Sequence, residues 1–184
     1  MELDFGAVGK GVALDSAAAA LRQCGVLSGL IHGGTSSATA IGTHGDSRGW
    51  RVAVADPYDP GRALAETWLY DSSLGVSCNA GKTVVRNGEV VGHIIDPRTG
   101  RPAQGAVLAA VAARDAAFCD AFSTALVVLG EEGLEIPELC SGAVSCLVAL
   151  RRGDGGLNIV TTGSYWQGES PGPLIPEQEG ISEP

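Results

Sequence analysis

The pair Asn87-Gly88 lies between two apolar-rich segments, residues 82–86 and 89–96. Asn-Gly between such segments is the strongest short-range signal for a β-hairpin, because both residues of its tight turn need positive φ. A second hairpin is predicted at residues 151–156, a charged and glycine-rich segment between two apolar runs. The chain is therefore expected to build antiparallel sheet.

Two segments carry helix signals. The sequence predicts a helix over residues 15–25, where Asp15 or Ser16 caps an alanine run, and a second over 115–129, which ends at Gly130. Further short apolar runs predict strands, namely residues 27–32, 38–42, 50–55, 66–70, 74–77, 107–113, 143–150 and 158–162. Many antiparallel strands with few helices predict an α+β fold, an antiparallel-strand-rich sheet with flanking helices.

The charge balance limits the partners of the chain. Twelve basic and 21 acidic residues give a net charge of −9, which disfavours nucleic acid and anionic membranes because phosphate binding draws on clustered Lys and Arg. The apolar runs are too short for a transmembrane helix. We expect one unit over residues 1–165 and, because residues 166–184 are rich in Glu, Pro, Gly and Ser, a disordered acidic tail there.

The five cysteines lack CxxC spacing, which fits neither a disulfide framework nor a zinc site. Buried reduced thiols are the favoured interpretation, and a Cys140–Cys146 pair is the alternative. The cysteines favour a reducing compartment, and residues 1–12 lack the basic and apolar parts of a signal peptide.

Two glycine-rich segments are candidate contacts for a phosphate or another anion. In the first, Gly6, Gly9 and Gly11 permit close approach of a ligand and Lys10 offers a positive charge, although the spacing is that of neither a P-loop nor a Rossmann fingerprint. In the second, Gly33-Gly34-Thr35 follows an apolar run. A plain turn explains the first segment equally well, and it is the favoured interpretation of the second on spacing alone.

Two further segments concentrate reactive side chains. A strand over residues 89–96 would present His93 and then Asp96 at a proline-containing turn. Asp120 and Thr124 are four residues apart, so a helix places both oxygens on one face, and a carboxylate with a hydroxyl suits Mg²⁺. The structural alternative is a threonine that bonds the carbonyl one turn earlier.

Together these segments resemble the ApbE-type FAD:protein FMN transferases. The run from His93 to Pro102, His-Ile-Ile-Asp-Pro-Arg-Thr-Gly-Arg-Pro, is nearly the signature of that family, and the run from Asp120 to Ala125 is similar to its metal segment. The resemblance extends over about residues 3–150 and is to the C-terminal half of the family domain. It implies an ApbE-like α+β fold truncated at the N-terminus.

The resemblance also implies a reaction and a site. FMN would pass from FAD to a threonine of an acceptor protein, with release of AMP and with Mg²⁺ held by the Ala7 carbonyl, Asp120 and Thr124. Catalysis would involve His93 and Asp96. The flavin nucleotide would contact a set of residues from several segments, namely Lys10, Gly33, Gly34, Thr35, Ser77 and His93.

The sequence leaves two alternatives to the transferase open. The same site would serve an FAD pyrophosphatase that yields FMN and AMP, or the chain would be an inactive flavin-binding remnant. A homodimer or a complementing N-terminal segment would replace the missing half. The compartment is open as well, because members of the family are often periplasmic or membrane-associated.

Overall fold

The computed structural model describes residues 4–59, 61–80, 83–86, 89–136 and 143–167. It has the predicted α+β class. The helices are α1 (Gly9–Gln23), α2 (Ala116–Leu129) and a 3-10 helix (Gly130–Glu135). The strands are β1 (Gly29–His32), β2 (Ser37–Ile41), β3 (Trp50–Ala55), β4 (Ala63–Leu69), β5 (Ser73–Cys78), β6 (Thr83–Arg86), β7 (Glu89–Gly92), β8 (Ile95–Asp96), β9 (Arg101–Pro102), β10 (Leu108–Ala113), β11 (Ser145–Arg151), β12 (Leu157–Thr162) and β13 (Trp166–Gln167).

A six-stranded antiparallel sheet forms the middle layer, in the order β1-β2-β5-β10-β11-β12. Helix α2 packs on one face through an apolar cluster that includes Val111, Leu126 and Val148. A three-stranded sheet, β13-β4-β3, covers the other face, and its Leu69 packs against Leu147. The fold therefore has three layers with the large sheet in the centre.

Strand β10 is buried along its whole length because both faces of the sheet are covered there. Successive side chains of a strand point to opposite faces. Ala109 and Val111 accordingly join the cluster beneath α2, while Ala110 and Ala112 join the cluster beneath the three-stranded sheet. Small side chains at these positions allow both layers to approach the strand.

The start of α1 differs from the prediction. The helix begins at Gly9 rather than at residue 15, and neither Asp15 nor Ser16 caps it. The glycines of its first turn indicated a loop, because glycine is a poor helix former. Tertiary packing overrides that preference, since a Cβ on Gly11 would lie 2.4 Å from the carbonyl oxygen of Ala116.

Both predicted hairpins have antiparallel strands. Strands β6 and β7 pair with Arg86 opposite Glu89, and Asn87 and Gly88 lie outside the described residues. Strands β11 and β12 pair across the second turn. The predicted strand 89–96 is wrong in one respect: β7 ends at Gly92, and Ile95–Asp96 is a separate strand that pairs with β9. His93 and Asp96 therefore do not share one continuous strand.

The folded part of the chain includes Trp166, whose indole N–H donates to the Cys146 carbonyl at 2.9 Å, and β13 pairs with β4. The predicted unit ended at residue 165, one residue before this strand. Cys140 and residues 168–184 lie outside the described residues. Among the described residues, no helix is both long enough and apolar enough to span a membrane.

Candidate functional site

An ion pair between the first turn of α1 and the middle of α2 forms the centre of the site. Lys10 Nζ donates to Asp120 Oδ1 at 2.8 Å, and the Gly11 N–H donates to Asp120 Oδ2 at 3.1 Å. The Asp120 side chain is 1% exposed and the Lys10 side chain is 42% exposed. One buried carboxylate thus accepts two donors from α1, and its cationic partner reaches solvent.

The position of Asp120 follows from the packing of α2. The buried side of this helix runs through Ala116, Cys119, Asp120, Ser123, Leu126 and Val127, which is the spacing of a helix face that packs on a core. Asp120 and Ser123 are polar residues on that face. Because an unpaired buried charge is costly, the contacts from α1 compensate for the burial of Asp120.

Three hydroxyl groups meet beside this ion pair. Ser77 Oγ lies 2.9 Å from both Ser123 Oγ and Thr124 Oγ1, and the Thr124 hydroxyl donates to the Asp120 carbonyl at 3.2 Å. Gly75 permits the approach, because a Cβ there would lie 2.5 Å from the carbonyl carbon of Cys119. The structure thus brings three predicted site residues together, Ser77, Asp120 and Thr124.

The loop that follows β1 lies next to Lys10. A Cβ on Gly33 would be 4.0 Å from the Lys10 Cβ, and Gly34 has a φ of +71°, which favours glycine. Thr35 is exposed in this loop, and His32 Nδ1 lies 3.3 Å from the Gly34 carbonyl oxygen. The predicted glycine pair is therefore on the Lys10 side of the site.

The predicted catalytic residues lie in a separate part of the chain. His93 is exposed between β7 and β8. Asp96 accepts hydrogen bonds from the Arg98 guanidinium at 2.8–3.2 Å and from the Arg98 N–H at 2.9 Å. The Arg98 side chain and then its N–H lower the pKa of Asp96. Asp96 thus stays ionised and orders the turn between β8 and β9.

Asn79 connects that ribbon to the end of β5. Its Nδ2 donates to the Ala103 carbonyl at 2.7 Å, and the Ala103 N–H donates to the Ile94 carbonyl at 2.8 Å. A Cβ on Gly92 would lie 1.9 Å from Asn79 Oδ1, so the amide packs against the backbone one residue before His93. Asn79, two residues after Ser77, thus packs beside Gly92, the residue before His93.

The predicted Mg²⁺ ligands are three kinds of oxygen: the backbone carbonyl of Ala7, the carboxylate of Asp120 and the hydroxyl of Thr124. Ala7 lies in the turn before α1 and is exposed, while Thr124 is half-buried. Within residues 4–59, 61–80, 83–86, 89–136 and 143–167, no three His, Cys, Asp or Glu side chains cluster as metal ligands. A cation at Asp120 would therefore use hydroxyl, carbonyl, water or substrate oxygens alongside one carboxylate.

A sequence model of the ApbE family matches residues 1–148. The chain belongs to the ApbE family. Relatives of this ApbE chain include the FAD:protein FMN transferase of Rhodobacter capsulatus, 41% identical over 132 residues that are 72% of this chain and 25% of the relative. The enzyme of the same name from Escherichia coli K12 is 33% identical over 71% of this chain and 37% of its own length.

Solved ApbE structures share the fold. The ApbE protein of Thermotoga maritima superposes with a TM-score of 0.73 at 27% identity, over 85% of this chain and 50% of its own. The Pseudomonas stutzeri flavinyl transferase ApbE, in its apo form, gives 0.68 at 28% identity, over 88% and 49%. The chain thus spans about half the length of these structures and less of the two curated relatives.

Some residues at this candidate site were not predicted as part of it. Gly11 and Ser123 contact Asp120, and Asp15 contacts the start of α2. The signal for Asp15 was present, because it lies one helical turn beyond Gly11 and so shares its face. The sequence predicts Gly11 only as a glycine that permits close approach of a ligand or forms a turn, and not as a donor to Asp120.

Two other features of the structure are the Cys78 thiol, which lies beside the centre, and a groove that lies away from it. Cys78, beside Ser77, has a pKa raised by burial, so its thiol stays protonated near neutral pH. A groove of about 240 Å³ lies beside Trp68 of β4 and contains none of the predicted site residues. Its lining residues are Arg48, Trp68, Ser164 and Tyr165.

Proposed function

We propose that this chain carries the Mg²⁺- and FAD-binding centre of a flavin transferase that moves FMN from FAD to a threonine of an acceptor protein and releases AMP. The observation that carries the proposal is the Lys10–Asp120 ion pair where α1 packs on α2, with the Thr124 hydroxyl one turn further along α2 on the same face. An ammonium, a carboxylate and a hydroxyl are groups suited to a pyrophosphate and a divalent cation. The names of the relatives support the same activity.

The donor chemistry fits Mg²⁺. Oδ1 and Oδ2 of Asp120 each accept one hydrogen bond, and an ionised carboxylate offers about four lone-pair sites, so acceptor capacity remains. We assign the Thr124 hydroxyl and the Ala7 carbonyl as further ligands. The Gly11 N–H, which would reach the Ala7 carbonyl in a regular helix, donates to Asp120 instead. Mg²⁺ commonly keeps waters and shares substrate phosphates, so few protein ligands suffice.

In the proposed reaction, the threonine oxygen of the acceptor bonds to the phosphorus of the FMN moiety. The bond from that phosphorus to the AMP oxygen breaks, and AMP leaves with the electron pair. Bound Mg²⁺ would offset the charge on the pyrophosphate and align the reacting groups. Lys10 is exposed enough to turn its ammonium toward a phosphate.

We assign the remaining residues by where they lie. Gly33, Gly34, Thr35 and Ser77 flank Lys10 and Thr124 and would contact the flavin nucleotide. His93 and Asp96 are proposed as the catalytic pair. His93 would also contact the flavin nucleotide and accept the threonine proton, because an imidazole nitrogen can serve as a general base. Asp96, held ionised by Arg98, would supply negative charge nearby.

The test is AMP release from FAD by the 184-residue chain, with and without Mg²⁺, followed by chromatography. A threonine-containing peptide is included as acceptor. Asp120→Asn should lower the Mg²⁺-dependent rate by at least the roughly 10–100-fold typical of a lost outer-shell partner of a metal. Asp154→Asn is the matched control, since Asp154 lies in the exposed turn between β11 and β12.

The products separate the alternatives. FMN on the peptide supports a transferase, and free FMN with AMP indicates a pyrophosphatase. FAD binding, seen as a change in flavin fluorescence, without AMP would indicate a binding module. Equal Mg²⁺-dependent rates in wild type and Asp120→Asn would remove Asp120 from the centre. Thr124→Ala provides a second variant if Asp120→Asn does not fold.

A further inference from the structure

The start of α2 is capped by a residue from a different helix. Asp15 Oδ1 accepts the Ala116 N–H at 2.8 Å and Asp15 Oδ2 accepts the Ala117 N–H at 2.9 Å. Asp115 holds the usual N-cap position but makes no side-chain cap hydrogen bond. The first turn of a helix leaves N–H groups without intrahelical partners, and a carboxylate there is also favoured by the helix dipole.

Two contacts on one face of α1 thus hold two successive turns of α2. Asp15 binds the first turn, and Lys10 with Gly11 binds Asp120 in the next. Between them, a Cβ on Gly11 would lie 2.4 Å from the Ala116 carbonyl oxygen, so the two helices touch backbone to backbone. If α2 slid along its axis or rotated about it, the Asp15 contacts would break and the Asp120 carboxylate would move at the same time.

We propose that Asp15 is a positioning residue, which fixes the first turn of α2 and thereby aims the Asp120 carboxylate at Lys10 and Gly11. The inference concerns the geometry of α2, and its consequence for metal binding rests on the function proposed above. Asp15 itself touches no substrate or metal in this assignment.

The Gly11 amide is a direct reporter, because its N–H donates to Asp120 Oδ2. We expect Asp15→Ala to lower the hydrogen-exchange protection of Gly11, measured by NMR on the full chain, at least about tenfold relative to Val111 in the buried strand β10. If Asp15 only stabilised the fold as a whole, Asp15→Ala would lower the protection of Gly11 and Val111 by the same factor, because both amides would exchange through global unfolding.

Two matched controls remove other side-chain contacts of α1. Ser16→Ala removes the neighbouring hydroxyl, which bonds only within the helix, to the Val12 carbonyl. Asp71→Ala breaks an ion pair at the other end of α1, where Arg22 contacts Asp71 at 2.9 Å. Neither control should change Gly11 protection relative to Val111. Unchanged relative protection of Gly11 in Asp15→Ala would overturn the inference.

Asp15→Asn covers the case in which Asp15→Ala does not fold. Its amide keeps one acceptor oxygen for one of the two N–H groups, so we expect an intermediate loss of Gly11 protection. Wild-type protection of Gly11 in a folded Asp15→Asn chain with exposed Ala116 and Ala117 amides would count against positioning.

Titration with Mn²⁺, as a spectroscopic substitute for Mg²⁺, tests the consequence for the proposed site. Asp15→Ala should weaken Mn²⁺ binding about tenfold or more, the size of effect seen when a group that orients a ligand is lost. Failure of wild type to bind Mn²⁺ would reject the metal centre proposed above, while the Gly11 measurement would still decide the role of Asp15. Equal Mn²⁺ affinity in wild type and Asp15→Ala would overturn the positioning role alone.

Discussion

At the scale of single residues, the site depends on where side chains are missing as much as on where they are present. Gly11 and Gly75 sit at the two places where α2 approaches α1 and β5 backbone to backbone. Asp120 and Ser77 lie close to those contact points. The polar groups of the centre can meet because these two positions carry no Cβ.

Gly11→Ala is expected to destabilise the fold although alanine favours helix. The gain in helix propensity is about 0.5–1 kcal/mol, whereas a Cβ forced into a packed backbone contact costs about 1–3 kcal/mol. The contact atoms are the Ala116 carbonyl oxygen and the Ala117 Cα, at 2.4 and 2.5 Å. We expect a net loss of roughly 1–2 kcal/mol in the free energy of unfolding, measured in urea.

Gly9→Ala is the control two residues earlier in the same helix. A Cβ on Gly9 would meet only the Phe5 Cβ, at 4.0 Å. We expect no loss of stability, and at most the gain of about 0.5–1 kcal/mol that alanine brings to a helix. Equal effects of the two substitutions would show that the approach of the helices at Gly11 does not limit stability.

At the scale of elements, α2 and most strands of the sheet followed from the sequence. The prediction for residues 50–55 matches β3, and that for 115–129 differs from α2 by one residue. Periodic apolar residues with clear end signals describe such elements locally. The start of α1 could not be predicted in this way, since its glycines are stabilised by contacts with residues about a hundred positions away.

The candidate site shows the same division. Asp120 and Thr124 could be paired from sequence because helical spacing alone puts them on one face. The Lys10–Asp120 contact could not be predicted from the sequence, because it joins residues that are 110 positions apart. Asp15 carried a helix-start signal that was correct in kind, but the helix that it caps is α2 rather than α1.

Asn79→Ala tests the connection between β5 and the β8–β9 ribbon. Losing the hydrogen bond to the Ala103 carbonyl leaves that buried residue with an unmet acceptor, which costs about 1–3 kcal/mol. Urea unfolding should show a loss in that range, with faster hydrogen exchange at Ala103. Asn158→Ala, at an exposed position of β12, should change stability by less than about 0.5 kcal/mol.

At the scale of the whole molecule, two ion pairs, Asp56–Arg62 and Asp71–Arg22, make stability depend on pH. Burial opposes ionisation of Asp56, but the Tyr58 N–H and the Arg62 guanidinium outweigh it and lower the pKa of Asp56. The Arg22 side chain likewise lowers the pKa of Asp71. Carboxylates with lowered pKa stabilise the folded state only while they are ionised.

We therefore expect the stability from these two carboxylates to be fully present above about pH 4–5, the range just above the pKa of an unfolded aspartate. It should be lost as the pH falls through their lower folded-state pKa values. Melting temperatures from pH 7 to pH 2 measure the loss. Asp56→Asn should flatten part of the decline, and a wild-type slope in that variant would contradict the assignment.

Deleting residues 168–184 is expected to leave the melting temperature unchanged, because the sequence predicts that this acidic segment contributes no packing. Deleting residues 166–184 should lower the melting temperature, because it also removes β13 and the bond from Trp166 to the Cys146 carbonyl. Calorimetry on both truncated chains checks the boundary. A large loss from the shorter deletion would show that residues 168–184 stabilise the fold.

The Lys10–Asp120 contact also has a consequence for synthesis on the ribosome. Its two residues are 110 positions apart, and translation adds about 5–20 residues per second. Roughly 5–20 seconds therefore pass between the appearance of the lysine and that of its carboxylate partner. During that interval the nascent chain holds α1 without the helix that it caps and binds. The centre therefore forms only once α2 has been synthesised, and a product released before α2 would lack it entirely.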